Sequence, residues 1–309
     1  MPNAVLTEAG GEKAYIVTGP TSGIGQATAL ELARHGTIVL VGRDAARLDG
    51  VRAAITQRGG RAVAVRCDLS DMVSVRRAAA EIIALRLPIT GLVNNAGIME
   101  MRARKSAQGW DNSFATNHLG PFALTEALLP HLPDGATVVF VASAAEDPER
   151  GPAKATGLRG GRYISAAASA RGEWEPGGST VPGGDAYTTS KQCVLAAAME
   201  LARENPRLYV NAIEPGINPG TGLARQANVV VRLLLKYVVA PIMSRNKYGS
   251  TPARAARVIT RLMLNDACRT GVYYDQGGHP MLASERVRDT AFTSRVVAET
   301  RALLATVSG

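Results

Sequence analysis

Cysteine is scarce: Cys67, Cys193 and Cys268 are the only three in 309 residues. An odd count with no metal-like spacing excludes a disulfide scaffold and points to a reducing compartment, the cytoplasm. The four histidines, His35, His118, His131 and His279, also lack metal-ligand spacing and read as surface or cap residues, so no metal is expected. Aromatics make up 5% and charged residues 20% of the chain. There is no long hydrophobic run. The most apolar stretch, Val229 to Met243, is interrupted by Arg232 and Lys236 and is too short to span a bilayer. Met1 to Lys13 carries Glu8 and Glu12 without an apolar segment, which does not read as a signal peptide.

What the chain does have is apolar mass. With 46% hydrophobic residues, disorder is excluded, and the length suits one α/β domain over residues 1–309. The net charge of +9 comes from 35 Lys and Arg against 26 Asp and Glu. These basic residues are scattered, with no dense run or aromatic-interleaved patch, so a nucleic-acid partner is not expected.

Short apolar runs alternate with longer amphipathic ones. Strands are predicted at Ala14–Val17, Thr37–Val41, Ala62–Val65, Leu92–Val93, Thr137–Val141, Leu208–Ile213 and Gly271–Tyr274. Helices are predicted at Ile24–His35, Ala45–Arg58, Val73–Arg86, Asn112–Leu129, Tyr187–Glu204 and Pro252–Leu264, with a helical tail in 285–309. This alternation implies βαβ units and a Rossmann-like, doubly wound parallel sheet of about seven strands, helices on both faces. Residues 144–186 break the pattern with nine Gly and four Pro. So long a connection inside a compact domain is usually functional or disordered.

The sharpest motif is Thr18-Gly19-Pro20-Thr21-Ser22-Gly23-Ile24-Gly25, which follows a predicted strand and opens a helix. Glycines there permit a tight turn and let an anion approach backbone N–H groups and the positive helix end. At the other end, Tyr187 and Lys191 are four residues apart, so on a helix they share one face. A phenol of pKa about 10 needs tuning to act as an acid or base, and a nearby cation lowers it. Ser143 ends the central strand, at the edge where open parallel sheets bind ligands.

These residues, in this order, resemble the short-chain dehydrogenase/reductase superfamily. The resemblance spans residues 14 to 216 and extends to Asp68-Leu69, Asn94-Asn95-Ala96-Gly97, Asn117 and Pro215-Gly216. It implies that Gly19, Thr21, Ser22, Gly23, Ile24 and Gly25 bind the cofactor pyrophosphate. Asp68 and Leu69 would contact the adenine, and Asn95, Ala96 and Gly97 would border the cofactor. Pro215, Gly216 and Thr221 would flank the nicotinamide, although Thr221 comes one residue later than in the family pattern. Tyr187 would be the general acid or base and Lys191 its partner and ribose ligand. Ser143 would stabilise charge on the substrate oxygen, and Asn117 would hold a water that relays protons through Lys191. Arg43, at the tip of the second strand, favours the 2′-phosphate of NADP(H), with NAD(H) as the alternative if Asp44 takes the ribose. Ser113 and Ser190 read as ordinary hydroxyls, and Cys193 as a small buried residue.

The 44-residue separation of Ser143 from Tyr187 departs from the usual pattern. Long inserts here resemble monomeric carbonyl reductases and protochlorophyllide reductases, whereas the C-terminal part is most like the retinol dehydrogenase branch. That likeness implies an NADP-dependent enzyme interconverting a carbonyl and an alcohol on a mid-sized hydrophobic substrate, as monomer or homodimer. The alternatives are a C=C reductase with the same Tyr–Lys pair, or a cofactor-binding sensor without turnover. The 144–186 insert, through Trp174 or Tyr163, and the 221–250 segment are expected to cover the substrate.

Overall fold

The computed structural model describes residues 13–150, 157–216, 249–264 and 269–307. Among these, seven strands form one sheet: β1 (Ala14–Thr18), β2 (Thr37–Gly42), β3 (Ala62–Arg66), β4 (Ile89–Asn94), β5 (Thr137–Val141), β6 (Tyr209–Ile213) and β7 (Tyr273–Tyr274). Every pairing is parallel, in the order β3-β2-β1-β4-β5-β6-β7. β1 and β5 are buried at every residue, which is why they read as continuous apolar runs rather than alternating ones.

Helices cover both faces. On one, α1 (Gly23–Leu32) and α2 (Ala45–Thr56) set Leu32, Leu48 and Ile55 against Tyr15, Ile38 and Leu40. On the other, α3 (Met72–Ala84) packs Val75 and Ile82 beneath Ile16, Val39 and Leu92. The strand order reverses between β1 and β4. At such a switch the connections leave in opposite directions and open a crevice at the strands' carboxyl ends.

The helix predicted over Asn112–Leu129 is not continuous. α4 (Asn112–Phe114) and α5 (Gly120–Leu128) are joined by a π-helical turn, Ala115–Leu119, in which the Gly120 N–H reaches the Ala115 carbonyl. Pro121 supplies the reason, because it has no N–H to offer the carbonyl four residues earlier, that of Asn117. The turn also buries His118, correcting its reading as a surface or cap residue. The ring lies between Phe114 and Phe122, with Nε2 2.8 Å from the Thr300 hydroxyl, and burial pushes its pKa down to about 3. The other three histidines are exposed.

The 144–186 insert is folded where it is described. It carries α6 (Ala166–Arg171), capped by Ser165 and ended by Gly172 at φ 87°. It is anchored to α7 (Gly184–Glu204), where the Thr188 hydroxyl donates to the Gly160 carbonyl at 2.7 Å and the Arg162 N–H donates to Thr189 at 2.8 Å.

After α8 (Pro252–Met263), which packs on α1, the tail forms α9 (Glu285–Arg288) and α10 (Thr290–Ala305). They are divided at Asp289, whose side chain caps α10 by accepting the Ala291 N–H. Tyr163 is fully buried against α10, its ring 5.7 Å edge-on from Phe292 and its hydroxyl donating to Glu299 at 2.7 Å. Trp174 packs edge-on against Phe114, and Arg286 holds Glu175 through two hydrogen bonds. Tyr163 is thus part of the core, and Trp174 is half-buried against it.

Nearly all of the 221–250 segment lies outside the described residues, as does Thr221. No helix among the described residues is long and apolar enough to cross a membrane.

Tyr163→Ala should lower the unfolding free energy by about 3–5 kcal/mol, the usual cost of removing a buried ring. Urea unfolding followed by circular dichroism measures this. A change below about 1 kcal/mol would mean that the insert is not part of the core.

Candidate active site

The carboxyl ends of β1 and β4 are locked together by polar side chains. The Thr18 hydroxyl accepts the N–H groups of Asn95 and Ala96, both at 3.0 Å, and donates to the Val93 carbonyl. The Asn95 amide donates to the carbonyls of Thr18 at 2.9 Å and Gly19 at 3.3 Å. Gly19 and Gly23 take φ of +66° and +58°, which a side chain would strain. A Cβ on Gly25 would collide with the Gly19 carbonyl and the Asn95 amide. The first turn of α1 holds no acidic residue, so its positive end is not offset locally. A glycine-walled cradle of this kind at a helix N-terminus fits the pyrophosphate of a dinucleotide.

Beyond β2 and β3 a cavity of about 480 Å³ is lined by Arg43, Arg66, Asp68, Asp71, Val73, Ser74 and Arg77. It brings together two predicted residues, Arg43 and Asp68, and adds two guanidiniums absent from the sequence reading. Backbone contacts aim them: Arg66 donates to the Arg43 carbonyl and Arg77 to the Arg66 carbonyl. Asp44 is occupied elsewhere, capping α2 through the Arg47 N–H and pairing with the Arg47 guanidinium.

Ser143, Tyr187, Lys191 and Asn117 converge at the tip of β5. The Ser143 hydroxyl hydrogen-bonds Tyr187. Lys191 lies one helical turn on, its ammonium 6.0 Å from the Tyr187 ring centroid and donating to the Val141 carbonyl at 2.7 Å. Gly97 borders the same groove, since a Cβ there would sit 3.3 Å from Lys191 Nζ and 3.6 Å from Asn117 Oδ1. The Asn117 amide donates to the Ile98 carbonyl and to Ser190, and accepts the Ile98 N–H.

Burial dominates the titration of both members of the pair. Burial pushes the phenol up to about 12 and outweighs the downward pull of the Ser143 hydrogen bond. Burial also lowers Lys191 to about 8, opposed by the charge of Glu214.

Glu214, at the end of β6, was not assigned from the sequence. Its carboxylate accepts the N–H groups of Ala144 and Gly216, and burial raises its pKa. Its place before Pro215-Gly216 was the available signal, but sequence position gives no warning that the side chain turns inward. Among the described residues no cluster of His, Cys, Asp and Glu suits a metal ion.

The fold is of the doubly wound α/β class, with a glycine turn at the β1–β4 switch and a Ser–Tyr–Lys cluster at the tip of β5. The short chain dehydrogenase family model matches residues 13–153. Retinol dehydrogenase 12 of Bos taurus is 30% identical over 210 residues, covering 66% of this chain and 61% of that protein. Polyprenol dehydrogenase of Mus musculus is 34% identical over 237 residues, covering 72% of this chain and 64% of that one. Among solved structures, one from Beutenbergia cavernae described as an NAD(P)-dependent gluconate 5-dehydrogenase, with NADP bound at low occupancy, matches with a TM-score of 0.63. It is 25% identical, covering 87% of this chain and 96% of that one. The chain belongs to the short-chain dehydrogenase/reductase superfamily. It spans between 61% and 64% of the length of the two curated relatives.

Thr18→Val should strand the Asn95 and Ala96 N–H groups and cost about 1–3 kcal/mol of stability. An unchanged urea midpoint would show that the two loops are held together by other contacts.

Proposed function

We propose that the protein is an NADP(H)-dependent oxidoreductase that interconverts a carbonyl and an alcohol on a mid-sized hydrophobic substrate, with carbonyl reduction favoured. The convergence of Ser143, Tyr187 and Lys191 at the tip of β5, beside the glycine cradle, carries this reading. When bound, the reduced nicotinamide supplies the hydride. Tyr187 donates the proton to the substrate oxygen, and burial keeps its phenol protonated at neutral pH. Ser143 donates a hydrogen bond to that oxygen as negative charge develops. Lys191, ammonium below about 8, restores the proton to Tyr187 and anchors the ribose. The Asn117 side chain is taken up by Ile98 and Ser190, so the relay water falls to its carbonyl, which Pro121 deprives of the ordinary helical donor.

Two relatives named for retinol and polyprenol support a hydrophobic alcohol or aldehyde as the substrate class. Selection of NADP(H) over NAD(H) rests on Arg43, assisted by Arg66 and Arg77 across the same cavity. The assigned residues at the crevice, Gly19 to Gly25, Asp68, Leu69, Asn95 to Gly97, Pro215 and Gly216, form the rest of the cofactor site.

Loss of NADPH absorbance over a panel of ketones, quinones, aldehydes and enones tests the activity, and product analysis separates C=O from C=C reduction. Tyr187→Phe should cut turnover at least a hundredfold with NADPH affinity nearly unchanged. Wild-type-like turnover would remove Tyr187 from the mechanism. Tight NADPH binding with no turnover on any substrate would favour a sensor.

Arg66→Ala and Arg77→Ala should each weaken NADPH by roughly fivefold to thirtyfold, about 1–2 kcal/mol for an exposed charge-assisted contact, and leave NADH untouched. Equal losses for both cofactors, read by fluorescence titration, would assign these residues to the fold instead.

A further inference from the structure

His118 and Thr300 of α10 meet in the core, 182 residues apart in the chain, and their hydrogen bond has a defined sense. The Thr300 hydroxyl lies 2.7 Å from the Val296 carbonyl, which can only accept, so its one proton goes there. Imidazole Nε2, 2.8 Å away, is therefore the donor to the threonine oxygen. His118 directly follows Asn117 in the π-helical turn. We infer that His118 is a positioning residue: its Nε2–H bond to Thr300 pins the π-helical turn to the C-terminal helix and so sets where Asn117 stands. The inference deepens the proposed function and rests on that reading for the part Asn117 plays in the proton relay.

The turn needs an anchor outside itself. A π-helical turn gives up the regular four-residue ladder, and such turns are rare. Here the Gly120 N–H reaches back five residues to Ala115, and Pro121 has no N–H to give. Two neighbouring side chains hold the loosened backbone. Towards α7, the Asn117 amide donates to the Ser190 hydroxyl at 2.9 Å, and Ser190 donates in turn to the Tyr187 carbonyl at 2.7 Å. Towards α10, the His118 ring lies between Phe114 and Phe122, centroids 5.2 and 6.0 Å away, and its N–H ends on Thr300. The line Thr300–His118–Asn117–Ser190 thus joins α10 to the backbone of Tyr187.

Packing alone does not call for an imidazole. A phenyl ring would fill the same space, as Phe114 and Phe122 do on either side. What the imidazole adds is one directed N–H at a place where both His118 and Thr300 are buried. A buried donor is costly to leave unpaired, so the ring can turn away from Thr300 only by stranding its proton. Burial also holds the imidazole neutral, so the bond keeps one sense at physiological pH. The next residue along α10, Arg301, pairs with Glu126 of α5 and Glu204 of α7 and sets the register in which Thr300 is presented.

The test begins without cofactor or substrate, so it is decided separately from the proposed activity. Nitrogen NMR of the natural protein should show His118 as the Nε2–H tautomer, its signal assigned by loss in His118→Phe. The opposite tautomer overturns the inference. Combining His118→Phe with Thr300→Val removes both polar partners at similar volume, a change close to neutral for folding. The Asn117 side-chain amide protons, assigned by loss in Asn117→Ala, should then exchange with solvent about tenfold faster while the urea midpoint holds. Where turnover is found, kcat should fall by about tenfold to a hundredfold with KM and NADPH affinity nearly unchanged, the cost of a slightly misplaced group. Thr300→Ser keeps the hydroxyl and should restore both readings. Unchanged Asn117 exchange in the double variant, or unchanged kcat where the natural protein turns over, makes His118 a packing residue and overturns the inference. If the double variant does not fold, Thr300→Val is compared with Thr300→Ser, and equal exchange in the two overturns it. Absence of turnover on every substrate removes the relay, while the exchange result still decides whether His118 positions Asn117.

Discussion

The site depends on parallel register. Thr18 of β1 follows the Val17–Val93 pair, Asn94 of β4 pairs with Phe140 of β5, and Val141 pairs with Ile213 of β6. The strands therefore end nearly flush, and Thr18, Asn95, Ser143 and Glu214 emerge along one edge. A parallel ladder that stops abruptly leaves N–H groups without partners. Here the Thr18 hydroxyl and the Glu214 carboxylate take them up, so the groups that finish the sheet also build the walls of the crevice. A one-residue slip of β5 would turn Ser143 to the wrong face and unpair Ala144 at the same time.

Burial then decides the chemistry. Tyr187 and Lys191 sit on the helix that presses against β5, and each is driven towards its neutral form, the phenol upwards and the ammonium downwards. Ser143 pulls Tyr187 back towards the phenolate, while Glu214 supports the ammonium.

Much of this was legible in the sequence, for a physical reason. The glycine turn, the Tyr187–Lys191 spacing and Ser143 at a strand end are short-range patterns, and a few consecutive residues dictate their geometry. The strands were legible because burial on both faces makes them apolar throughout. What stayed hidden depends on partners far along the chain. His118 looks like a surface imidazole until α10 places Thr300 against it, 182 residues away. Tyr163 looks like lid material until Phe292 and Glu299 arrive. Arg66 and Arg77 carry no motif, and only the packing of α3 beside β3 aims them into the cavity with Arg43.

The insert and the C-terminal helix are best understood as one device. α7 is buried almost all round, a pattern that an amphipathic surface helix does not show. The sheet covers one side, and α10, with the insert wedged above it, covers the other. Arg301 of α10 fastens the arrangement by pairing at once with Glu126 of α5 and Glu204 of α7. α10 buries Phe292, Val296 and Val297 in that packing. The helix bearing Tyr187 and Lys191 is therefore packed from both sides.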